Sequence, residues 1–153
     1  MNESERELGP SIPTSLTAAV NRLQTLYYNR KADLETWARM PEQRALAEAH
    51  HGIGQTIRNE WGLWEGSALR EDLKAMGLFH ADDMSSVILT CLHRTLNEKA
   101  LDIEGQVQRY QDYWAHMPEL DERSMEMTNA VGETFKVTTY VAKKKSRYDI
   151  AKE

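Results

Sequence analysis

The side chains of this chain that could carry out chemistry are concentrated between residues 50 and 85. They are three histidines and two adjacent aspartates, namely His50, His51, His80, Asp82 and Asp83. Imidazoles and carboxylates bind divalent metals and exchange protons, so this set could be a metal site or a general acid–base pair. Adjacent histidines on a helix point about 100° apart, however, so only one of them can readily face a site that contains His80. Any helical domain with buried histidines and carboxylates offers an acid–base pair, so these residues alone do not identify an enzyme.

Signatures of other enzyme classes do not occur in the sequence. There is no nucleophile elbow, and Gly52 and Gly54 fall within a predicted helix rather than between a strand and a helix. These glycines therefore do not predict a phosphate-binding loop. We predict no catalytic residue, no metal and no cofactor.

Residues suited to recognition accompany the histidines, and they are Arg58, Asn59, Trp61 and Trp64. Stacking on indoles and bidentate hydrogen bonding from a guanidinium would suit a nucleotide, a small anion or an acidic side chain of a partner. Such residues also dominate protein interface hot spots. The alternative is a structural cluster, with Arg58 clamped to Asp83 and His80 tied to a helix end.

Two blocks of this region, IRNEWGLW and HADDMS, resemble an uncharacterised bacterial and phage domain family in which a Pro-Ser/Thr-Leu helix start precedes the same blocks. The resemblance covers roughly Ile12 to Asn97 and carries over no catalytic residue. It implies that eight side chains form one constellation: Arg58, Asn59, Trp61, Trp64, His80, Asp82, Asp83 and Ser85.

The first half of the constellation requires a helix to position it, and we predict one long helix from Pro41 to the tryptophans. Its apolar stripe has spacings of seven and four residues and consists of Leu46, Ile53, Ile57 and Trp61. Beside the stripe, His50, Gly54 and Arg58 form a row at four-residue steps. A glycine in mid-helix indicates that another backbone, a ring or a ligand comes close, and packing is the commoner cause. Gly62 is predicted to end this helix in the left-handed conformation.

The second half of the constellation follows Gly77, where the sequence predicts a loop and then a new helix. Asp82 or Asp83 is expected to cap that helix, because a carboxylate accepts from free backbone N–H groups at the positive end of the dipole. The other carboxylate and His80 could then pair with Arg58 or His50 of the preceding helix.

Two structural expectations follow for this region. Arg58 should lie within salt-bridge reach of Asp82 or Asp83. At least one of Trp61 and Trp64 should be largely buried against the helix after Asp83, which we predict to be the central element of the core.

The composition predicts one mainly α-helical domain. The chain has 153 residues, of which 41% are hydrophobic and 28% charged, and its formal net charge is −5. We expect a compact domain of about five helices, with a long C-terminal amphipathic helix and a possible small β-hairpin. The net charge argues against general affinity for nucleic acid, and no apolar run predicts a membrane span or signal peptide. The single Cys91 fits a core thiol in a reducing cytoplasm.

The chain is predicted to divide into four parts. Residues 1–11 form a flexible arm, 12–97 the helical domain, 98–118 the long amphipathic helix, and 119–153 a hairpin followed by a charged tail. The hairpin prediction comes from alternating residues in 125–131 and 135–141 around a glycine, and the tail prediction from the basic run that starts at Lys143.

The predicted long helix carries a heptad seam that starts at Leu96 and includes Ala100, Ile103, Val107, Tyr110, Trp114 and Met117. Such a seam either packs on the protein's own core or mediates self-association. We assign possible self-association to Val107, Tyr110 and Trp114, which would make the protein a homodimer.

These patterns favour a cytoplasmic, non-enzymatic binding protein over an enzyme. By the resemblance it would be a phage or mobile-element accessory or regulatory factor, with inhibition of host defence as one such role. Its partner would be a protein or a small anionic ligand, bound by His50, Arg58, Asn59, Trp61, Trp64, His80, Asp82, Asp83 and Ser85. The alternative is a small metal- or carboxylate-dependent hydrolase that acts on a nucleotide-like substrate.

Overall fold

A computed structural model describes residues 8–9, 11–26, 31–117 and 120–142, and the side chains of 120, 121 and 142 are excluded. Within these residues the chain forms seven helices and one antiparallel hairpin. The helices are α1 (Leu16–Leu26), α2 (Lys31–Arg39), α3 (Glu42–His50), α4 (Ile53–Glu60), α5 (Ala68–Ala75), α6 (Ala81–Leu96) and α7 (Ile103–His116). The strands are β1 (Leu120–Thr128) and β2 (Thr134–Ala142). The predicted mainly α-helical fold with a small hairpin is therefore confirmed.

The chain divides into two units, Met1–Asp112 and Tyr113–Glu153. In the first unit, α6 is the central helix, and α1, α3 and α4 pack against it. Its residues from Met84 to His93 are buried except Ser86, because a helix that is apolar on most sides is stable only when other helices surround it. The prediction that the helix after Asp83 forms the centre of the core is confirmed.

The predicted long helix from Pro41 to the tryptophans is wrong, since the chain breaks at His51 and Gly52 into α3 and α4. Gly54 lies in the first turn of α4, where a Cβ atom would come within 2.9 Å of the Ala49 carbonyl oxygen and 3.5 Å of a Leu89 methyl group. The glycine is therefore needed for close packing. The break was not visible in the sequence because the apolar spacing continues across it.

The predicted seam is also interrupted. Helix α6 ends at Leu96, and Glu98 and Asp102 take positive φ angles of 54° and 48° before α7 begins at Ile103. Ala100 lies in this turn and is exposed. The prediction of one helix running from the end of the core to Met117 is wrong, because the spacing of apolar residues continues across the turn and does not reveal it.

The predicted flexible arm can be judged only at Leu8, Gly9 and Ser11. Leu8 is buried in the core, and its carbonyl oxygen accepts a hydrogen bond of 3.2 Å from Arg22 of α1. The Arg22 guanidinium also donates to the Ser11 carbonyl oxygen at 2.7 Å. At these positions the chain is attached to the first unit, which its polar composition did not indicate.

The second unit contains the predicted hairpin, which is confirmed. Its strands pair so that Met125 faces Val137 and Met127 faces Phe135, and these pairs lie on the same face because opposite residues share a side of the sheet. Asn129 makes the turn, its side-chain oxygen accepting from the backbone N–H groups of Val131 and Glu133. The predicted charged tail lies outside the described residues.

Among the described helices, none is long and apolar enough to cross a membrane.

Candidate functional site

The centre of the predicted constellation is the side chain of Arg58, which is 5% exposed at the end of α4. Its Nε atom lies 3.0 Å from Asp82 Oδ1, while Nη1 donates to Ser85 Oγ at 2.9 Å and Nη2 to the His50 carbonyl oxygen at 3.0 Å. The expectation that Arg58 reaches Asp82 or Asp83 is confirmed. We call these four residues the arginine cluster.

The arginine cluster joins three helices, since His50 ends α3, Arg58 lies in the last turn of α4, and Asp82 and Ser85 lie in the first turns of α6. Ser85 completes it by donating its hydroxyl to the Asp82 carbonyl oxygen at 3.0 Å. Each nitrogen of the guanidinium has a protein partner, and the side chain is buried, so little of Arg58 is open to an anion from solvent. The cluster therefore has the geometry of a structural connection.

The cap of α6 differs from the prediction, because His80 rather than Asp82 or Asp83 occupies the N-cap. Its Nδ1 atom accepts a hydrogen bond of 3.2 Å from the Asp82 backbone N–H. Imidazole nitrogen can replace the usual oxygen acceptor at this position, a substitution that the preference for Ser, Thr, Asp and Asn did not suggest. Asp82 and Asp83 lie in the first turn, where their negative charges interact favourably with the positive end of the helix dipole.

Asp83 has a different position from Asp82. It is buried, and its charge acts on the phenol of Tyr110. Burial raises the pKa of Tyr110, and the Asp83 carboxylate raises it further. The ion pair that Arg58 forms at 3.0 Å is with Asp82.

The two tryptophans of the constellation have opposite environments. Trp61 is 1% exposed and belongs to the core that contains Met84 and Ile88 of α6, so the expected burial of one indole is confirmed. Trp64 follows Gly62, whose φ of 65° ends the helix in the predicted left-handed conformation. Trp64 is 50% exposed, and its ring contacts the edge of His80 with a centroid distance of 5.6 Å.

Exposed aromatic side chains thus lie beside the arginine cluster. Phe79 immediately precedes His80 and is 69% exposed. The His80 side chain is partly exposed and lies 3.7 Å from the second oxygen of Asp82. We call Trp64, Phe79 and His80 the aromatic rim. Asn59, the remaining residue of the constellation, is exposed on α4.

The histidines do not gather at one point. The rings of His50 and His51 contact each other edge to face at 4.7 Å, whereas His80 lies at the rim beside Trp64. Within the described parts of the chain, no three His, Cys, Asp or Glu side chains lie close enough to hold a metal ion.

The residues assigned to self-association are divided between the two units. Val107 is buried, and Tyr110 packs partly buried against the same core, so these two positions serve the first unit's own interior. Trp114 belongs to the second unit and is 46% exposed. Of the three, only Trp114 has the exposure that an interface residue needs.

The sequence did not predict several polar contacts of the first unit. Arg94 of α6 makes a bidentate pair with Glu42 of α3, with both distances 2.9 Å. The hydrogen bond from Arg94 lowers the pKa of Glu42. His93 is buried, and its Nε2 donates to the Met40 carbonyl oxygen at 3.0 Å. The only sequence signal was an acidic residue beside Pro41, and it could not identify a partner 52 positions away.

Cys91 is fully buried, as predicted for a core thiol. Burial raises the pKa of this thiol, which keeps it protonated and unreactive.

The fold and the site together define a small helical domain whose ends of α3, α4 and α6 are joined by a buried arginine. The chain belongs to a family described as a domain of unknown function, DUF6794, which matches residues 12–96 and hence more than half of the sequence. The matched segment contains both blocks, IRNEWGLW and HADDMS, and membership in an uncharacterised family is as expected. Neither the curated proteins nor the solved structures contain a match to the chain.

Proposed function

We propose that the protein is a non-enzymatic binding protein whose aromatic rim docks onto a protein partner. The observation that carries this proposal is the exposure of Trp64 and Phe79 beside a cluster that is itself rigidly bonded. Large aromatic side chains on a fixed support contribute area at little cost in conformational entropy, which is why they dominate interface hot spots.

The chemistry of the rim favours a partner that is apolar and basic. Asp82 is half-buried at its edge, while the guanidinium of Arg58 is occupied inside the fold. The surface beside the arginine cluster therefore offers the aromatic rim together with the partly exposed carboxylate of Asp82. A lysine or arginine of the partner would find both a carboxylate and an aromatic ring.

The cellular role extends this proposal. We place the protein in the cytoplasm, where a lone buried thiol is stable, and interpret it as an accessory or regulatory factor of phage or mobile-element type, including inhibition of a host defence. The cellular role is supported by the resemblance alone. Self-association into a homodimer belongs to the same proposal and is favoured by the exposure of Trp114 in the second unit.

The test is affinity capture with matched variants, followed by calorimetry with the purified partner. Trp64→Ser and Phe79→Ser should each weaken binding at least about tenfold, as expected when a hot-spot aromatic is removed. Tyr140→Ser and Val131→Ser are the controls, because these side chains are equally exposed but lie in the second unit. They should leave the affinity unchanged.

If the rim variants and the control variants lost binding affinity equally, the proposal would be contradicted. Turnover of a nucleotide that stops on chelation would favour the hydrolase instead.

A further inference from the structure

A cavity of about 290 Å³ lies in the first unit between α2, α3, α4 and α6. Its apolar lining consists of Leu34, Trp37, Ala49, Ile53, Leu89 and Leu92. The cavity is open to solvent on one side, where the exposed residues Asp33 and Glu48 lie. It shares no residue with the aromatic rim or with the side chains of the arginine cluster.

Helix α2 forms one wall of the cavity. This helix has no fully buried residue, although Leu34 and Trp37 pack partly buried against the core. Near its C-terminal end the Trp37 indole N–H donates to the Ala45 carbonyl oxygen at 2.8 Å, and Asn97 donates to the Ala38 carbonyl oxygen at 2.9 Å. The rings of Trp37 and His93 also meet edge to face, with their centroids 5.2 Å apart. These directional contacts fix the helix end, while Leu34, about one turn earlier, packs partly buried against the core and lines the cavity.

The charge at the cavity has one sign. Asp33 of α2 and Glu48 of α3 both line it, and both are exposed to solvent. None of the eight lining residues is basic. Glu48 forms an exposed ion pair with Arg44 at 3.2 Å. Such a pair is weak, so the carboxylate can exchange Arg44 for another cation at little cost. A concave surface with apolar walls and two carboxylates focuses a negative potential toward its interior.

We propose that this cavity binds a small organic amine, with its apolar body among the leucines and Trp37 and its ammonium group between Asp33 and Glu48. The volume lies near the lower limit for ligand sites, so the apolar body should be about the size of one aromatic ring with a short linker. Trp37 adds an aromatic surface that attracts a cation. This site is independent of the proposed docking function, and either can be wrong without the other.

The test compares three probes that share a phenyl ring on a short linker and carry a positive, a negative or a neutral head group: phenethylamine, phenylacetate and 2-phenylethanol. Binding is measured by calorimetry and by the nuclear magnetic resonance shift of the Trp37 indole N–H in the full chain. Phenethylamine should bind at least about tenfold more tightly than either analogue, and its saturation should move the Trp37 signal. Equal affinity of all three probes, or no saturable binding of the amine, would overturn the proposal.

Variants assign the binding to the cavity. The double variant Asp33→Asn, Glu48→Gln changes only exposed side chains, and it should reduce the amine's affinity about tenfold and remove its preference over the alcohol. Glu35→Gln is the matched control, since it removes an exposed carboxylate of the same helix that does not line the cavity. The proposal would also be overturned if the double variant bound the amine as tightly as the wild type, or if Glu35→Gln lost as much affinity as the double variant.

Discussion

At the scale of single residues, Arg58 shows how a feature suited to recognition can instead hold the fold together. Arginine near tryptophan and histidine is typical of a binding site, yet here all three guanidinium nitrogens are bonded to residues of the same unit. What remains exposed beside it is aromatic and acidic. The same group of residues therefore contributes both the support and the surface, and the two roles can be separated by mutation.

Replacement of Arg58 by alanine should destabilise the protein strongly. It removes three interactions and leaves Ser85 and the His50 carbonyl oxygen without their donor, so we expect a loss of roughly 3 kcal/mol in the free energy of unfolding. Arg44→Ala is the control, because its exposed pair with Glu48 should contribute less than about 1 kcal/mol. Urea denaturation of both variants measures the difference, and equal midpoints would contradict the structural role of Arg58.

The Glu42–Arg94 pair predicts a dependence of stability on pH. Because the hydrogen bond from Arg94 lowers the pKa of Glu42 below its ordinary value of 4.5, folding favours the ionised carboxylate. Its contribution is present above pH 4.5 and is lost as the pH falls through the lower pKa of the folded state. The difference in urea midpoint between wild type and Glu42→Gln should thus be largest at neutral pH and shrink in acid. A difference that stays constant across that range would contradict this assignment.

At the scale of elements, the break between α3 and α4 depends on a small residue at a close contact. Gly54→Ala would gain about 1 kcal/mol in helix propensity, yet its Cβ would lie 2.9 Å from the Ala49 carbonyl oxygen. Since both backbones are held by packing on α6, we expect a net loss of about 1–3 kcal/mol. Gln55→Ala, on the exposed side of the same helix, should change stability by less than about 0.5 kcal/mol. A melting temperature of Gly54→Ala that equals or exceeds that of the wild type would show that the chain relaxes at this contact.

The elements also show how far the sequence could predict the fold and the candidate site. Helix α6 was predicted from the apolar residues that follow Asp83 at helical spacing, and the hairpin from two alternating runs on either side of Gly132. The Arg58–Asp82 contact was expected from the return of one helix beside another. In contrast, the turn from Glu98 to Asp102 was missed, since positive φ angles at non-glycine residues follow from tertiary packing rather than from local preference.

The same limit applies to the cavity and to the cap of α6. One wall of the cavity is α2, which is held by hydrogen bonds from Trp37 to Ala45 and from Asn97 to Ala38, and the latter two residues are 59 positions apart. His80 was expected to belong to a polar cluster, but its role as N-cap requires a ring orientation that no spacing rule predicts. Contacts between distant residues and side-chain orientations are thus what the sequence alone did not reveal.

At the scale of the whole molecule, the second unit exposes an apolar surface on its hairpin. Met125, Met127 and Phe135 lie on one face of the hairpin and are about half exposed. A two-stranded hairpin is marginally stable in water unless its apolar face is covered. The end of α7 adds Tyr113 and Trp114, whose rings contact each other at 5.3 Å.

We therefore predict that two copies associate through the second unit and that Trp114→Glu abolishes this association. Because Trp114 is exposed, the charged variant should melt within a few degrees of the wild type at a concentration where both are monomeric, whereas a buried tryptophan would lose several kcal/mol. Val107→Glu is the contrasting variant, since Val107 is buried in the first unit and its replacement should unfold the protein. Sedimentation velocity over a range of concentrations measures the association. A wild type that stays monomeric throughout, or a Trp114→Glu variant that still dimerises, would show that the apolar face of the second unit has another role.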